Sequence, residues 1–511
     1  RFVFPFFGSK VPFPRVWEVT GKWLAMSFTI SVCLLSGQRA DLEVNPTQSV
    51  KEVMREASTM LGRPLMALAF QGRRLLKREM VEEIGLEEGS VINALVKNKG
   101  YVLVGHRKCA AFAVLKDDGA VATWGHPDCL VSCPHNRTGL NAQQLFASNS
   151  AFAAITDEGE VVAWGDPTNG GDCQEVAEDL RFVQNIYVSE GAFAALKTDG
   201  SVVSWGSPFC GGDSTLVRAE LQGVLSVAAT HRAFAALRMD GTVVTWGNDQ
   251  CGGDSSGVQP WLHDVEGIYA TDTAFAALRS DGDVIVWGDS LSGGDARTVQ
   301  DQLHHVASIF SSSKAFAALK KDGTVVTWGK ALSGGDSSQV QEQLYDVEQI
   351  YCGQAMAALR KDGSVITWGH SSFGGDSRAV QEQLVDVEKI YATDAAFAAL
   401  KRDGSVVVWG HPEHGGDCQK VQERLVGIKN IQATSSAFVA LRQDGTVHTW
   451  GLPFKGGDNS SVQDELHHIE EIAASYGAFA AVRQDGKVIT WGDANYGGDS
   501  SPVQPLVIDT F

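Results

Sequence analysis

The chain has 511 residues, 44% of them hydrophobic, which is enough for several domains with sizeable cores. Its net charge of −19 is unevenly placed: residues 1–100 carry 14 Lys+Arg against 10 Asp+Glu, leaving the remainder 28 basic and 51 acidic residues, a net of −23. Such an acidic remainder repels phosphate backbones and gains little from counterion release, so nucleic acid is excluded as the main partner. No run of ~18 apolar residues suggests a membrane span. Nine scattered cysteines, odd in number, fit thiols in a reducing compartment, cytoplasmic or nuclear. The sequon Asn136-Arg137-Thr138 has no meaning there.

Residues 1–25 are aromatic and nearly free of acid, but Lys10, Arg15, Glu18 and Lys22 interrupt them. They lack the continuous apolar run of a secretory signal. This extension is expected to be disordered or not native, with Met26 as the candidate initiator.

Residues 26–97 form the first predicted domain. Phe28 to Leu34 alternates as a strand does, Ser36-Gly37 supplies a turn, and Ala40 to Val44 alternates again. Asn45-Pro46-Thr47 signals a helix entry, followed by Val50, Val53, Met54 and Ala57 at helical spacing and a stop at Gly62-Arg63-Pro64. Met66–Phe70 and Ser90–Val96 fit two more strands, with Gln71-Gly72 turning between Phe70 and Leu75. The phrases Leu35-Ser36-Gly37, Leu42-Glu43-Val44-Asn45-Pro46 and Leu68-Ala69-Phe70-Gln71-Gly72-Arg73-Arg74-Leu75 resemble ubiquitin, over about 70 residues. The resemblance implies a β-grasp fold and a recognition patch at Leu35, Ala69 and Leu95. Ala69 is smaller than the family's isoleucine, a loss on the order of 1–3 kcal/mol for a receptor that buries that side chain. Arg73 stands where the family has its best-known chain-building lysine. No Gly-Gly ending follows Val96, so conjugation is not expected. Use of this module purely as a cap or spacer is the alternative to receptor docking.

Residues 98–511 repeat. Trp-Gly pairs begin at Trp124, Trp164, Trp205, Trp246, Trp287, Trp328, Trp368, Trp409, Trp450 and Trp491, at intervals of 40 or 41. In one unit, Ile390–Thr393 and Ala396–Leu400 read as strands, Asp403-Gly404 as a tight hairpin turn, and Ser405–Gly410 as a third strand. Gly415-Gly416-Asp417 then opens a segment patterned Val421, Leu425 and Ile428. Its spacing predicts a two-turn helix capped by the aspartate, with a fourth strand as the alternative. One unit cannot bury its own apolar face, so neighbours must stack, and the ten tryptophans are the expected core between them.

The pattern Ala-Phe-Ala-Ala-Leu, Asp-Gly, Val-x-x-Trp-Gly resembles the regulator of chromosome condensation repeat, a β-propeller family, over residues 101–511. Here the unit is shorter and Gly-Gly-Asp replaces the family's Gly-Gln-Leu-Gly turn. Family propellers usually close with seven blades, so a ten-unit ring, a seven-blade ring with extra units and an open superhelix all stay open. The first unit departs further, reading His126-Pro127-Asp128-Cys129 to Cys133-Pro134-His135 in place of Gly-Gly-Asp. The fold class is therefore mainly β, an α+β ubiquitin-like module followed by a propeller-like ring or solenoid.

No cofactor or metal is expected. His126, Cys129, Cys133 and His135 have zinc-ligand chemistry, but one short loop occurring once reads better as solvated loop. The nine Gly-Gly-Asp carboxylates, at Asp172, Asp213, Asp254, Asp295, Asp336, Asp376, Asp417, Asp458 and Asp499, suggest a calcium ladder, yet one carboxylate per unit falls short of six to eight oxygens. Capping explains them more simply. No nucleophile–base set, phosphate-cradling loop or ligase domain is present, and no segment carries nucleotide exchange over from the propeller family. The expected function is a non-catalytic protein-binding adaptor. Its repeats hold a client on the loops between Trp-Gly and Gly-Gly-Asp, and its first domain docks to ubiquitin receptors or the proteasome. The alternatives are the recognition part of a larger ubiquitin ligase and a purely structural repeat protein.

Overall fold

A computed structural model describes residues 27–34, 39–61, 65–70, 73–75, 79–96, 101–105, 110–116, 121–132 and 140–501. The chain divides between residues 98 and 99 into two compact units. Residues 1–26, the turns at Ser36-Gly37, Gly62–Pro64 and Gln71-Gly72, Leu35, the side chain of Leu95, and Cys133 to Thr138 lie outside the described residues.

The first unit comprises β1 (Phe28–Leu34), β2 (Arg39–Val44), α1 (Val50–Leu61), β3 (Leu65–Phe70), β4 (Arg73–Arg74), α2 (Val81–Ile84) and β5 (Val91–Val96). The sheet order is β2-β1-β5-β3-β4, with β1 and β5 parallel at its centre, which is the β-grasp arrangement. Alternation along β1 and β2 sends Ile30, Val32, Leu42 and Val44 to the face that α1 covers with Val50, Val53, Met54, Ala57 and Leu61. Ser49 and Glu52 form the capping box: the Ser49 N–H donates to Glu52 Oε2 at 2.8 Å, and the Glu52 N–H to Ser49 Oγ at 3.4 Å. The four-residue α2 shows no periodicity in the sequence, because a single turn buries only Val81.

Among the described residues the second unit contains ten three-stranded antiparallel sheets. In the eighth, Val387–Ala392 pairs with Ala396–Lys401, which pairs with Val406–Gly410. The first strand is three residues longer at its start than the sequence suggests, because a β-bulge between Val387 and Lys389 resets its register. Gly404 closes the hairpin at φ +79°, where a side chain would be strained. Strands of this kind bury both faces: in Ala396–Lys401 every residue but the last is buried. Small alanines are therefore needed where neighbouring sheets approach.

The segment after Gly-Gly-Asp is neither a two-turn α-helix nor a fourth strand. It is a turn followed by one 3₁₀ turn, such as Gln341–Gln343. The physical reason is the edge it covers. Thr327 Oγ1 lies 2.9 Å from Ser337 Oγ, Ser337 donates to Gln341 Oε1 at 2.8 Å, and Gln341 Nε2 donates to the Val325 carbonyl at 2.9 Å. The same set recurs at Thr245, Ser255, Gln259 and Val243, and at Thr367, Ser377, Gln381 and Val365. Side chains thus occupy the outer strand edge where a fourth strand would pair.

Neighbouring sheets are locked by tryptophan. Each of the ten Trp-Gly indoles is buried, at most 4% exposed. Trp287 stacks on Phe275 at 5.2 Å between centroids and donates its Nε1–H to the Gly252 carbonyl of the preceding sheet at 3.0 Å. Gly252, at φ +92°, leaves room for that ring: a Cβ there would stand 2.5 Å from Phe275 Cδ2. The lock repeats from Trp205 on Gly170 through Trp491 on Gly456. It also closes the series, because Trp124 of the first sheet donates to the Gly497 carbonyl of the tenth at 3.1 Å. Leu103, Phe112 and Val114 of the first sheet share one core with Ala478, Ala480 and Val482 of the tenth. Of the three arrangements open from the sequence, this is the closed ten-unit ring. Trp164 is the exception: among the described residues its buried Nε1 has no acceptor, and the first unit lacks the Gly-Gly sequence that supplies one elsewhere.

Candidate protein-binding surfaces

The sequence places variability between Trp-Gly and Gly-Gly-Asp, and there the chain makes one 3₁₀ turn per unit. The residue after Trp-Gly is extended and the first glycine ends the turn in the left-handed region, as Asp289 and Gly293 do. The second residue of the turn then points to solvent. In four units it is a large apolar side chain: Phe209 is 57% exposed, Leu291 77%, Leu332 56% and Phe454 59%. Equivalent positions of a closed ring lie on one face, so these tips share it.

Two tips carry cations against aromatic rings. Arg232 lies 4.8 Å from the Phe209 centroid, with Nε 3.4 Å from Glu190 Oε2. Lys455 Nζ sits 4.0 Å from the Tyr496 ring and 5.0 Å from the Tyr476 ring, and pairs with Asp493 Oδ2 at 3.1 Å. Both clusters bridge neighbouring units and fix the tips in place.

Inside this face runs a rim built from the turns between first and middle strands. Successive turns are joined by a backbone N–H donated to the carbonyl of the next, as from Glu190 to His231 at 2.9 Å, His231 to Asp272 at 2.8 Å, Asp272 to Ser313 at 2.9 Å, and likewise Gln354 to Asp394 and Asp394 to Ser435. Thr271 Oγ1 ties rim to tip through the Ser292 carbonyl at 3.1 Å. Glu190, Asp272 and Asp394 place carboxylates on the rim beside Arg232 and Lys314, with His231 Nε2 2.9 Å from Asp272 Oδ1. At Asp289, burial pushes the carboxyl up, but hydrogen bonds from Ser292, the Leu291 N–H and Thr273 outweigh it and hold the group below its ordinary value.

The Gly-Gly-Asp carboxylates each accept the N–H two residues on, as Asp336 does from Ser338 at 2.9 Å and Asp376 from Arg378 at 3.0 Å. They cap turns. Of the histidine and cysteine set, His126 caps a 3₁₀ turn by accepting the Asp128 N–H at 3.3 Å, and Cys129 is buried with Sγ 3.7 Å from the Asn149 carbonyl. Among the described residues no group of three or more His, Cys, Asp or Glu is placed to hold a metal.

On the first unit, Ala69 is half-buried in β3 opposite Arg74 and Asn93. Leu95 sits in β5 opposite Ala67, and Leu35 lies outside the described residues. Arg73 Nη1 pairs with Glu79 Oε1 at 2.6 Å.

Residues 28–96 match the family model described as "Ubiquitin-2 like Rad60 SUMO-like". Among solved structures, yeast RCC1 (Prp20), crystallised with Kap60 bound, is similar at 20% identity over 51% of this chain and 80% of that one, with a TM-score of 0.30. The ectodomain of the Physcomitrella patens receptor kinase CR4 is similar at 16% identity, over 54% and 74%, with a TM-score of 0.31. A designed protein based on ubiquitin is similar at 23% identity over 15% of this chain and 94% of that one, with a TM-score of 0.14. No curated protein matches the chain. Among the described residues no helix is long and apolar enough to cross a membrane.

Proposed function

We propose that this chain is a non-catalytic adaptor of the cytoplasm or nucleus, its ring a variant of the regulator of chromosome condensation propeller that holds a protein client on the loop-tip face. The observation that carries this reading is the set of four exposed apolar tips, Phe209, Leu291, Leu332 and Phe454, held on a rigid ring. Scattered single apolar residues on a surface need no explanation, but a set repeated at one structural position supports an interface, which apolar anchors inside a polar rim would stabilise.

In the same reading the ubiquitin-like domain docks to receptors of the ubiquitin pathway through Leu35, Ala69 and Leu95. The SUMO-like description of the matching family supports a second reading, docking to receptors of SUMO-like modules.

The test is affinity purification of the parent chain, a four-tip variant (Phe209→Ser, Leu291→Ser, Leu332→Ser, Phe454→Ser) and a patch variant (Leu35→Ala, Leu95→Ala). The adaptor reading expects the four-tip variant to lose one set of partners and the patch variant a different set. Unchanged partners in both would overturn it.

A further inference from the structure

Among the described residues the rim and tip turns carry four Lys or Arg side chains, and two of them have ionic partners. Arg232 Nε lies 3.4 Å from Glu190 Oε2, and Lys455 Nζ 3.1 Å from Asp493 Oδ2. Lys314 and Lys330, both of the sixth unit and both exposed, make no ion pair with a described residue. They are neighbours, since the Lys330 N–H donates to the Lys314 carbonyl at 2.9 Å. The fifth unit's carboxylates on this face are already held. His231 Nε2 stands 2.9 Å from Asp272 Oδ1, and Asp289 accepts from Ser292 Oγ at 2.6 Å and Thr273 Oγ1 at 3.2 Å. Lys314 is near enough to Asp289 to help hold its carboxyl down, without pairing with it.

The turn that carries Lys314 also leaves a backbone donor open. In the belt around the rim, Asp272 donates to the Ser313 carbonyl at 2.9 Å and Gln354 to the Asp394 carbonyl at 3.0 Å. The Ser313 N–H between them finds no acceptor among the described residues. The cause is a shorter turn. Residues 312–314 join Ser311 to Ala315 in the sixth unit, whereas two residues, Gly353 and Gln354, join Cys352 to Ala355 in the seventh. The Gly353 N–H turns straight back to the Ala355 carbonyl at 2.9 Å, and the seventh turn offers Ser313 no carbonyl.

Apolar tips flank this break. Leu332, 56% exposed, is two residues from Lys330, and Leu291, 77% exposed, holds in the fifth unit the place of Phe209 in the third. Lys314 corresponds to Arg232, whose guanidinium carbon lies 4.8 Å from the Phe209 centroid. Two unpaired ammonium groups and an open N–H thus stand beside two leucines, in a set of repeats whose net charge of −23 repels anions elsewhere. Charge-assisted hydrogen bonds from a carboxylate satisfy these donors, and aliphatic neighbours of that carboxylate cover the leucines. We propose that the client of the loop-tip face docks at the sixth unit with an acidic side chain flanked by aliphatic ones. Its carboxylate meets Lys314, Lys330 and the Ser313 N–H, and its aliphatic neighbours meet Leu291 and Leu332. This inference rests on the adaptor reading and adds the chemistry of the client to it.

The test is a ligand-observed NMR titration of the full chain with Ac-Leu-Glu-Leu-NH2 and with Ac-Leu-Gln-Leu-NH2, which keeps the shape and lacks the charge. The glutamate peptide should bind saturably and the glutamine peptide about fivefold more weakly. That gap should narrow as NaCl rises from about 0.02 M to about 0.5 M, because exposed ion pairs are screened. Lys314→Gln with Lys330→Gln, at exposed positions, should leave the melting temperature unchanged and make the two peptides bind alike. Leu291→Ser with Leu332→Ser should weaken both peptides together, about tenfold. No saturable binding of the glutamate peptide, equal binding of both by the parent chain, or a preference that survives the lysine substitutions would overturn the proposal, leaving the loop-tip face to its own test. Binding of both peptides untouched by the leucine substitutions would overturn the face, and the proposal with it.

Discussion

At the residue scale, the indole Nε1–H decides more than the indole's bulk. Trp287 and Trp164 are both buried and both stack on a phenylalanine, at 5.2 and 5.5 Å, yet only Trp287 donates to a carbonyl. Trp287→Phe should cost about 1–3 kcal/mol more than Trp164→Phe in urea unfolding, because it leaves the Gly252 carbonyl without its donor. Equal losses would show that volume alone matters. Trp287→Ala removes packing as well and should cost roughly 3–5 kcal/mol. Gly252→Ala puts a methyl group against Phe275 in a left-handed backbone and should lower the melting temperature as clearly as an indole loss does. The tryptophan period was legible in the sequence; the acceptor was not, because it lies 35 residues away across a seam.

At the scale of the element, the strands and the Asp-Gly turn were legible because alternation and turn chemistry are local. The segment after Gly-Gly-Asp was misread because its four-then-three apolar spacing also fits a turn pair, and its glutamine and serine act on a strand edge that one-dimensional spacing does not show. Gln341→Leu should free the Val325 carbonyl and cost about 1 kcal/mol in chemical denaturation, with little change in Gln343→Leu, which lies outside that set. The turn aspartates also set a pH limit. Arg378 hydrogen-bonds Asp376 and holds its carboxyl down to about 2, and Arg483 does the same for Asp485. A carboxylate depressed in the folded state stabilises above its unfolded value near 4, and that contribution is lost as pH falls through the interval toward 2. The melting temperature should hold from pH 7 to 5 and fall below pH 4. Asp376→Asn with Asp485→Asn should flatten part of that fall.

At the scale of the whole molecule, the sequence showed ten units but could not decide closure, since each unit's contacts look alike whether or not the last meets the first. In the ubiquitin-like module the β-grasp fold followed from pattern and resemblance, while the environment of the Leu35, Ala69 and Leu95 patch did not. Likewise the loop tips were visible as variable positions, but their grouping on one face is a property of the ring. Closure rests on Trp124, whose donor reaches Gly497 across 373 residues of chain. The most direct measurement is hydrogen exchange of the tryptophan indole N–H groups by ¹⁵N NMR. A closed ring predicts that Trp124 is protected as strongly as Trp287. Fast exchange at Trp124, with Trp287 protected, would mean that the first and tenth units do not meet.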